Sequence, residues 1–259
     1  MFFVKNKSIE AVKFIYKFAR KSKRSKTYKR QYRNIANHLS DFEVDRGIII
    51  TSENFTDNVL EDYIYFLKDK NLMLSTVSTI VDKTKYMFRR MKQEGHKIDS
   101  SIFDISVPVE QGISVYVTSE EIERIYKLKV SNEQEVARDL FVVGCLTGMR
   151  FSDYSKLTSK NIVGNTIQRK TLKTGEVVIV PIHRIVGEII LKYNGFPSYD
   201  NSLQNFNAII KRICKKARFN EKVFTERTIG HKIVRKTFKK YELIGSHTAR
   251  RSFATNAYL

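Results

Sequence analysis

The sequence predicts a mainly α-helical protein of the α+β class, in which a helical N-terminal domain precedes a domain of helices around a small antiparallel sheet. Three observations lead to this fold class. Apolar residues recur at helical spacing through most of the first hundred residues. Only 3 prolines occur in 259 residues, so few helices are interrupted. Two short runs rich in β-branched residues flank Gly175, as the strands of a hairpin do.

Four helical segments in succession form the predicted N-terminal domain, residues 1–105. Thr56 is a candidate N-cap for the third segment. Gly47 and Gly95 end the second and the fourth, because glycine readily adopts the left-handed conformation that follows many helices. The short connections between the segments indicate a small helical bundle. The segments span residues 8–24, 25–47, 56–71 and 75–97.

A break in the helical pattern separates the two predicted domains. Residues 106–117 contain Pro108 and Gly112 among β-branched residues and show no helical period, so they are predicted to be the interdomain linker. The second domain is then expected to comprise residues 118–259. It opens with Thr118 and Glu121, which have the spacing of a capping box at the start of a helix.

The remaining elements of the second domain follow from local patterns. An apolar, buried helix is predicted over residues 133–148. Two strands are predicted over 165–171 and 176–182. The rest of the domain is expected to be mostly helical, and it is very basic: residues 211–251 hold 14 Lys and Arg against 3 acidic residues.

The charge of the chain indicates a polyanionic partner. The formal net charge is +20, which is self-repulsive unless an anion compensates it. Nucleic acid is favoured over a membrane, because no apolar run approaches the roughly 20 residues needed to span a bilayer. The N-terminus lacks a signal peptide pattern. Cys145 and Cys214 fit reduced thiols, so a cytoplasmic location is expected.

The stretch from Gly148 to Asp153 is a candidate anion site. A left-handed Gly148 would end the apolar helix with a sharp turn and deliver Arg150 to the start of the next helix, where backbone N–H groups also face an anion. Asp153 is expected to orient the guanidinium of Arg150. The alternative is a purely structural Arg–Asp pair.

Two further elements supply a lysine and a histidine–arginine pair. The hairpin carries Lys170 and Lys173 near its tip, where a lysine is in isolation more often a solvated turn residue. His247 and Arg250 are three residues apart and therefore share one helix face, with Phe253 and Ala254 expected to anchor the opposite face.

The three elements together suit a phosphodiester site that works without metal. Fixed guanidinium groups can meet the charge on the non-bridging oxygens, and a lysine and a histidine can move protons. No ligand cluster at metal spacing, glycine-rich phosphate loop or dinucleotide fingerprint occurs in the sequence. Neither a metal nor an organic cofactor is therefore expected.

These motifs resemble those of the tyrosine recombinases, the phage integrase family of site-specific recombinases. "LTGMRFSDYSKL" resembles the first arginine box, "KTGEVVIVPI" the β-hairpin lysine region and "HTARRSFATN" the H-x-x-R box. The N-terminal helices resemble the SAM-like core-binding domain of integrases from phages and conjugative elements. The likeness covers nearly the whole chain and implies a mixed α/β catalytic domain after the helical one.

The resemblance also implies an activity and a set of roles. It implies DNA integration or recombination for a mobile genetic element through a 3′-phosphotyrosyl intermediate, on double-stranded DNA clamped between the two domains. Arg150 and Arg250 would grip the scissile phosphate, Lys173 would protonate the 5′-oxygen and His247 would assist proton transfer. Lys170 remains an alternative to Lys173. Members of the family form tetramers on paired sites.

The attacking tyrosine of the family follows the H-x-x-R box by a further helix and box, neither of which occurs after Arg250 here. Tyr258 is expected to be a packing residue, and Tyr241 precedes the box. The chain is therefore expected to be truncated before its nucleophile, to bind DNA without cleaving it, and to be monomeric in solution. A non-catalytic DNA-binding regulator derived from a recombinase is the alternative function.

The basic run over residues 20–33 holds eight Lys and Arg and no acid, and is the main predicted DNA-binding segment. An RNA-binding protein is a third hypothesis, but no aromatic strand motif of the kind that stacks bases is present. Tyr28 and Tyr32 share a helical face and are expected to be core. The predicted DNA-binding residues are Lys23, Arg24, Lys26, Lys29, Arg30, Arg33, Lys85, Arg89 and Lys170.

Overall fold

The computed structural model describes residues 8–110, 112–173 and 175–258, and these residues are mainly helical with two small sheets, which confirms the predicted fold class. They divide into two compact units. Unit 1 runs to Gly112 and includes Glu226–Arg235, and unit 2 contains Ile113–Thr225 and Lys236–Leu259. The break between Gly112 and Ile113 lies within residues 106–117, the predicted linker.

Unit 1 contains the four predicted helices. The second begins after Ser25, whose hydroxyl accepts the N–H of Tyr28, and ends at Gly47 with a φ of 65°. A 3-10 turn follows the fourth helix at Ser100–Phe103. In the core, the rings of Phe55 and Phe88 stack with centroids 4.3 Å apart. The helices are α1 (Ala11–Lys21), α2 (Lys26–Arg46), α3 (Asp57–Asp69) and α4 (Leu74–Gln93).

Unit 2 has the predicted capping box at its first helix, since Thr118 accepts the N–H of Glu121 while the Glu121 carboxylate accepts that of Thr118. The apolar helix that follows lies at the centre of the hydrophobic core. The helices are α5 (Ser119–Lys127), α6 (Asn132–Thr147), α7 (Phe151–Tyr154), α8 (Arg184–Tyr193), α9 (Leu203–Lys216), α10 (Lys240–Leu243) and α11 (Ser246–Tyr258).

The first sheet has three antiparallel strands, β1 (Ile162–Val163), β2 (Thr166–Lys170) and β3 (Val177–Pro181), in the order β1-β2-β3. The predicted hairpin is β2 and β3, paired from Thr166 opposite Pro181 to Lys170 opposite Val177. Ile167 faces Val180 across the hairpin, and both are buried in the core of unit 2.

A second hairpin, β4 (Lys222–Ile229) and β5 (Lys232–Lys239), replaces part of the helical region predicted for the C-terminal residues. That prediction was wrong here, because the β-branched and aromatic residues of the two strands stand among many charged side chains and do not alternate regularly. Gly230, with a φ of 59°, makes the turn. The tip of the hairpin, Glu226–Arg235, belongs to unit 1, so residues 118–259 do not form a single unit as predicted.

In the described part of the chain no helix is both long enough and apolar enough to cross a bilayer. The thiols of Cys145 and Cys214 are free and buried.

Candidate active site

The candidate site is built around the turn that ends α6. Gly148 has a φ of 65°, as predicted, and its N–H donates to the carbonyl of Gly144 at 3.1 Å. Arg150 follows as the N-cap residue of α7, where its carbonyl accepts the N–H groups of Asp153 and Tyr154. Its half-buried guanidinium makes no hydrogen bond or ion pair within the described residues. The turn thus presents Arg150 with its donors available to a ligand.

Arg250 reaches the same turn from α11. Its Nη1 donates to the carbonyl oxygen of Gly148 at 3.0 Å. Gly148 and Arg150 are two residues apart, so their Cα atoms are within about 7 Å of each other. The structure therefore brings the second guanidinium to the backbone segment that carries the first one.

The close packing of α11 on α6 makes this contact possible. A Cβ on Gly148 would lie 2.8 Å from Cγ of Phe253, and one on Gly144 would lie 3.1 Å from Cβ of Ala249. The prediction that Phe253 and Ala254 anchor α11 was wrong. Ala254 is exposed, and Phe253 is 37% exposed with only its ring edge against Gly148, whereas the buried residues of α11 are Thr248, Ala249 and Ser252. Small residues face α6 because the two backbones approach too closely for larger ones.

Polar contacts that the sequence did not reveal fix the two ends of α11. The Ser252 hydroxyl accepts the N–H of Val117 at 2.8 Å, and the Asn256 amide donates to the carbonyl of Val117 at 3.0 Å. At the other end, the N–H of Ser246 donates to Oδ1 of Asn207 at 2.8 Å. The partners are 39 to 139 positions apart in the chain, so no local pattern signals them.

Asp153 holds the hairpin loop rather than Arg150. Its side chain is buried, and Oδ1 accepts the N–H of Leu172 at 2.9 Å. Within the described residues it makes no bond to the guanidinium of Arg150, which corrects the predicted supporting role. The other oxygen, Oδ2, is buried without a hydrogen-bond partner. Asp153 therefore ties the loop of the β2–β3 hairpin to the helix that follows Arg150.

The two candidate lysines occupy different places on this hairpin. Lys173 is exposed in the turn, one residue after the anchored Leu172. Lys170 is the last paired residue of β2, and its Cε lies 4.0 Å from the position of a Cβ on Gly175, within the hairpin itself. The hydrogen bond between Leu172 and Asp153 thus restrains the segment that carries Lys173.

His247 lies in the first turn of α11, one helical turn before Arg250, and is exposed. It lines an open cavity of about 230 Å³ together with Lys211 and Arg251, two cations that were not singled out from the sequence. Hydrogen bonds from side chains to the backbone thus link three of the four predicted residues. Arg250 is linked to the segment of Arg150 through Gly148, and the loop of Lys173 is linked to the same region through Asp153. His247 joins them through its position on α11.

Removing the Asp153 side chain should release the loop that carries Lys173. In Asp153→Ala the N–H of Leu172 loses its acceptor, and a hydrogen bond of this kind contributes about 0.5–1.5 kcal/mol. We expect faster hydrogen exchange at the Leu172 amide. Asp153→Asn is the matched control, because it retains an oxygen acceptor and should keep much of the protection. Unchanged exchange in the alanine variant would contradict the anchoring role.

Tyr258 does not act as a packing residue, since it is 92% exposed at the end of α11. It follows Arg250 by eight residues on the same helix, which separates them by about 12 Å along the axis. Tyr241 is half-buried against the core, with Nζ of Lys215 5.9 Å from its ring centroid. Along α11, Tyr258 thus lies about two turns beyond Arg250, and Tyr241 lies on α10, before that helix begins.

All but one of the predicted DNA-binding residues are at least partly accessible. Lys85 lies on the buried face of α4, where its Nζ donates to the carbonyl of Ile105 at 2.5 Å, so it is not available to DNA. Lys29 is half-buried, and Arg89 is exposed with its guanidinium 4.9 Å from the ring centroid of Phe103. The other exposed members are Lys23, Arg24, Lys26, Arg30, Arg33 and Lys170.

Across the described residues, no group of three or more His, Cys, Asp or Glu side chains is arranged to hold a metal ion. The cationic groups that the site presents are the guanidinium groups of Arg150 and Arg250 and the ammonium group of Lys173.

The N-terminal helices give the first likeness to known proteins. Residues 11–105 match the sequence model of the phage integrase SAM-like domain. A comparison with curated protein sequences finds no significant match.

Solved integrase structures share the fold of the whole chain. A Tn1549 transposon integrase in complex with circular intermediate DNA is 15% identical with a TM-score of 0.72, over 97% of this chain and 87% of that one. A lambda integrase tetramer bound to a Holliday junction is 13% identical with a TM-score of 0.62, over 95% and 71%. The chain therefore has the integrase fold, and the resemblance seen in its motifs is confirmed at the level of the fold.

Proposed function

We propose that this protein is a tyrosine-type site-specific DNA recombinase, an integrase of a phage or conjugative transposon. The observation that carries the proposal is the hydrogen bond from Arg250 to the carbonyl of Gly148, which brings a second guanidinium group to the turn that carries Arg150. Two like charges repel unless an anion lies between them, and a phosphodiester supplies oxygens that suit both. The integrase fold and the SAM-like domain support the same function.

The proposed chemistry assigns a role to each residue. Arg150 and Arg250 stabilise the charge that develops on the non-bridging oxygens. The full reaction needs a tyrosine hydroxyl, a role that we assign to neither Tyr241 nor Tyr258; this hydroxyl attacks phosphorus, so that a 3′-phosphotyrosyl bond forms as the bond to the 5′-oxygen breaks. Lys173 gives a proton to the leaving 5′-oxygen, and His247 accepts the proton of the nucleophile. We assign this role to Lys173 rather than Lys170 because Asp153 anchors the adjacent residue.

The proposed partner is double-stranded DNA. Tetrameric assembly on paired sites, as in the lambda integrase complex with a Holliday junction, is expected to require DNA. Without it we expect a monomer, because a net charge of +20 opposes self-association.

Duplex binding should depend strongly on salt. Each phosphate that the protein neutralises releases condensed counterions and contributes roughly 0.9 to the slope of log affinity against log salt concentration. We expect a slope of several units for a short duplex, measured by fluorescence anisotropy at several salt concentrations. An affinity that does not change with salt would contradict phosphate binding.

The same complexes test whether a tyrosine of this chain acts as the nucleophile. After incubation with a nicked duplex and denaturation in detergent, we expect no covalent protein–DNA adduct from this chain alone, because Tyr258 is about 12 Å along α11 from Arg250 and Tyr241 is half-buried against the core. An adduct would show that one of these tyrosines reaches the phosphate, and Tyr258→Phe and Tyr241→Phe would identify which.

A further inference from the structure

Unit 1 contains an aromatic cluster that is partly open to solvent. Four rings from α1, α2 and α4 meet there, Phe18, Tyr28, Tyr32 and Tyr86. The centroids of Tyr28 and Tyr32 are 4.9 Å apart, and those of Tyr32 and Tyr86 are 6.1 Å apart. Tyr32 is buried as predicted, whereas Tyr28 is half-buried and Tyr86 is exposed. The cluster is thus core on one side and surface on the other.

Cations surround the open side of this cluster. Together they line a pocket of about 480 Å³, and no carboxylate is among the described residues that line it. Arg90 lies with its guanidinium 6.0 Å from the ring centroid of Phe18, and its Nε is buried without a hydrogen-bond partner. The lining residues are Phe18, Ser22, Lys23, Arg24, Tyr28, Tyr86 and Arg90.

An unpaired guanidinium N–H is unusual in a folded protein. Buried donors are almost always paired, and a charged donor loses more than a neutral one when it is removed from water without an acceptor. Nε of Arg90 is buried, whereas the residue as a whole lines a pocket that is open to a ligand. The other donors of this guanidinium make no hydrogen bond within the described residues and are the ones that an anionic oxygen in the pocket would meet.

The positive charge at the start of α2 is a second feature that favours an anion in this pocket. Tyr28, which lines the pocket, is in the first turn of α2, where no acidic residue occurs and Lys26 adds a positive charge. The N–H of Tyr28 is capped by the Ser25 hydroxyl, but the N-terminus of a helix also carries a partial positive charge, so cations there are unfavourable and a nearby anion is favourable.

We propose that this pocket, the tyrosine–arginine pocket, binds one phosphate group of the DNA backbone. Arg90 and Arg24 would donate to the phosphate oxygens, and the hydroxyls of Tyr28 and Tyr86 would donate as well. The inference rests on the proposed duplex binding and adds a defined contact, centred on Arg90, that lies outside the candidate active site. Tyrosine hydroxyls and a guanidinium group can donate hydrogen bonds to the same phosphate. They therefore bind it better than a simple solvated basic surface does.

Arg90→Gln tests the proposal in the full-length chain. It should weaken binding of a short duplex roughly tenfold and lower the salt slope by about 0.9, the contribution of one phosphate. Lys13→Gln is the matched control. It removes the same charge from α1 of the same unit, at a lysine that is ion-paired with Glu10 outside the pocket, and should leave affinity within roughly twofold of the wild type.

Tyr86→Phe keeps the proposal testable if Arg90→Gln destabilises unit 1. Tyr86 is exposed, so this variant loses only a hydroxyl, and affinity should fall severalfold without a change in Tm. Wild-type affinity and salt slope in a folded Arg90→Gln and in Tyr86→Phe would overturn the pocket while leaving duplex binding intact.

Two other results would overturn the proposal in distinguishable ways. A wild-type chain that does not bind duplex would refute the proposed function itself. Inorganic phosphate that raises the Tm of the wild type but not of Arg90→Gln, in a chain that binds no duplex, would assign the pocket to free phosphate instead of the DNA backbone.

Discussion

Gly148→Ala is expected to destabilise unit 2 by about 2–5 kcal/mol. A left-handed backbone costs a residue with a Cβ about 1–2 kcal/mol. The new Cβ would also lie 2.8 Å from Cγ of Phe253 and closer still to Cδ1, and forcing atoms into a packed site costs about 1–3 kcal/mol. Urea unfolding followed by circular dichroism measures the loss.

Two comparisons separate the causes of this destabilisation. Gly164 has a φ of 56° and no atom within 4 Å of its Cβ position, so Gly164→Ala should incur the backbone cost alone. In the Phe253→Ala background the steric cost of Gly148→Ala should largely disappear. Equal losses for Gly148→Ala and Gly164→Ala would contradict the close approach of α11 to the turn.

Arg250→Gln is expected to weaken duplex binding about 10–100-fold without unfolding the protein. A charge-assisted hydrogen bond contributes about 1.5–3 kcal/mol, and the side chain is exposed apart from its contact with Gly148. The salt slope should also fall by about 0.9. Anisotropy titrations at several salt concentrations give both values, and circular dichroism reports the fold.

Arg184→Gln is the matched control for Arg250→Gln. Arg184 is an exposed arginine of unit 2 whose guanidinium is paired with Glu188 at 2.6 Å, so its replacement should change affinity little. If Arg250→Gln lowers the Tm sharply and leaves the affinity of the folded fraction unchanged, the contact with Gly148 serves structure rather than phosphate binding.

The sequence predicted the helices because their apolar period and end signals are local. Gly47 and Gly148 end helices where expected, and Thr118 and Glu121 form the expected capping box. The β4–β5 hairpin was missed because its residues are mostly charged and its tip contacts residues far away in the chain, such as Leu72.

The site was predictable in its residues but not in its connections. Arg250 and Asp153 were singled out by type and spacing, yet the partners of their side chains are backbone groups, the carbonyl of Gly148 and the N–H of Leu172. Such partners depend on how distant segments pack, and any residue type can supply them. Lys85 shows that residue type alone can also mislead. As a lysine in a basic chain it was predicted to bind DNA, yet it lies on a buried helix face.

The bond between Arg250 and Gly148 has a consequence for how quickly and how tightly DNA is captured. It exists in the free protein, so this long side chain has lost part of its rotational freedom before any ligand arrives, and that entropy is not lost again on association. A guanidinium has five N–H donors and this contact occupies one of them. The remaining donors are therefore restricted in orientation before DNA arrives. The arginine needs little rearrangement when a duplex binds.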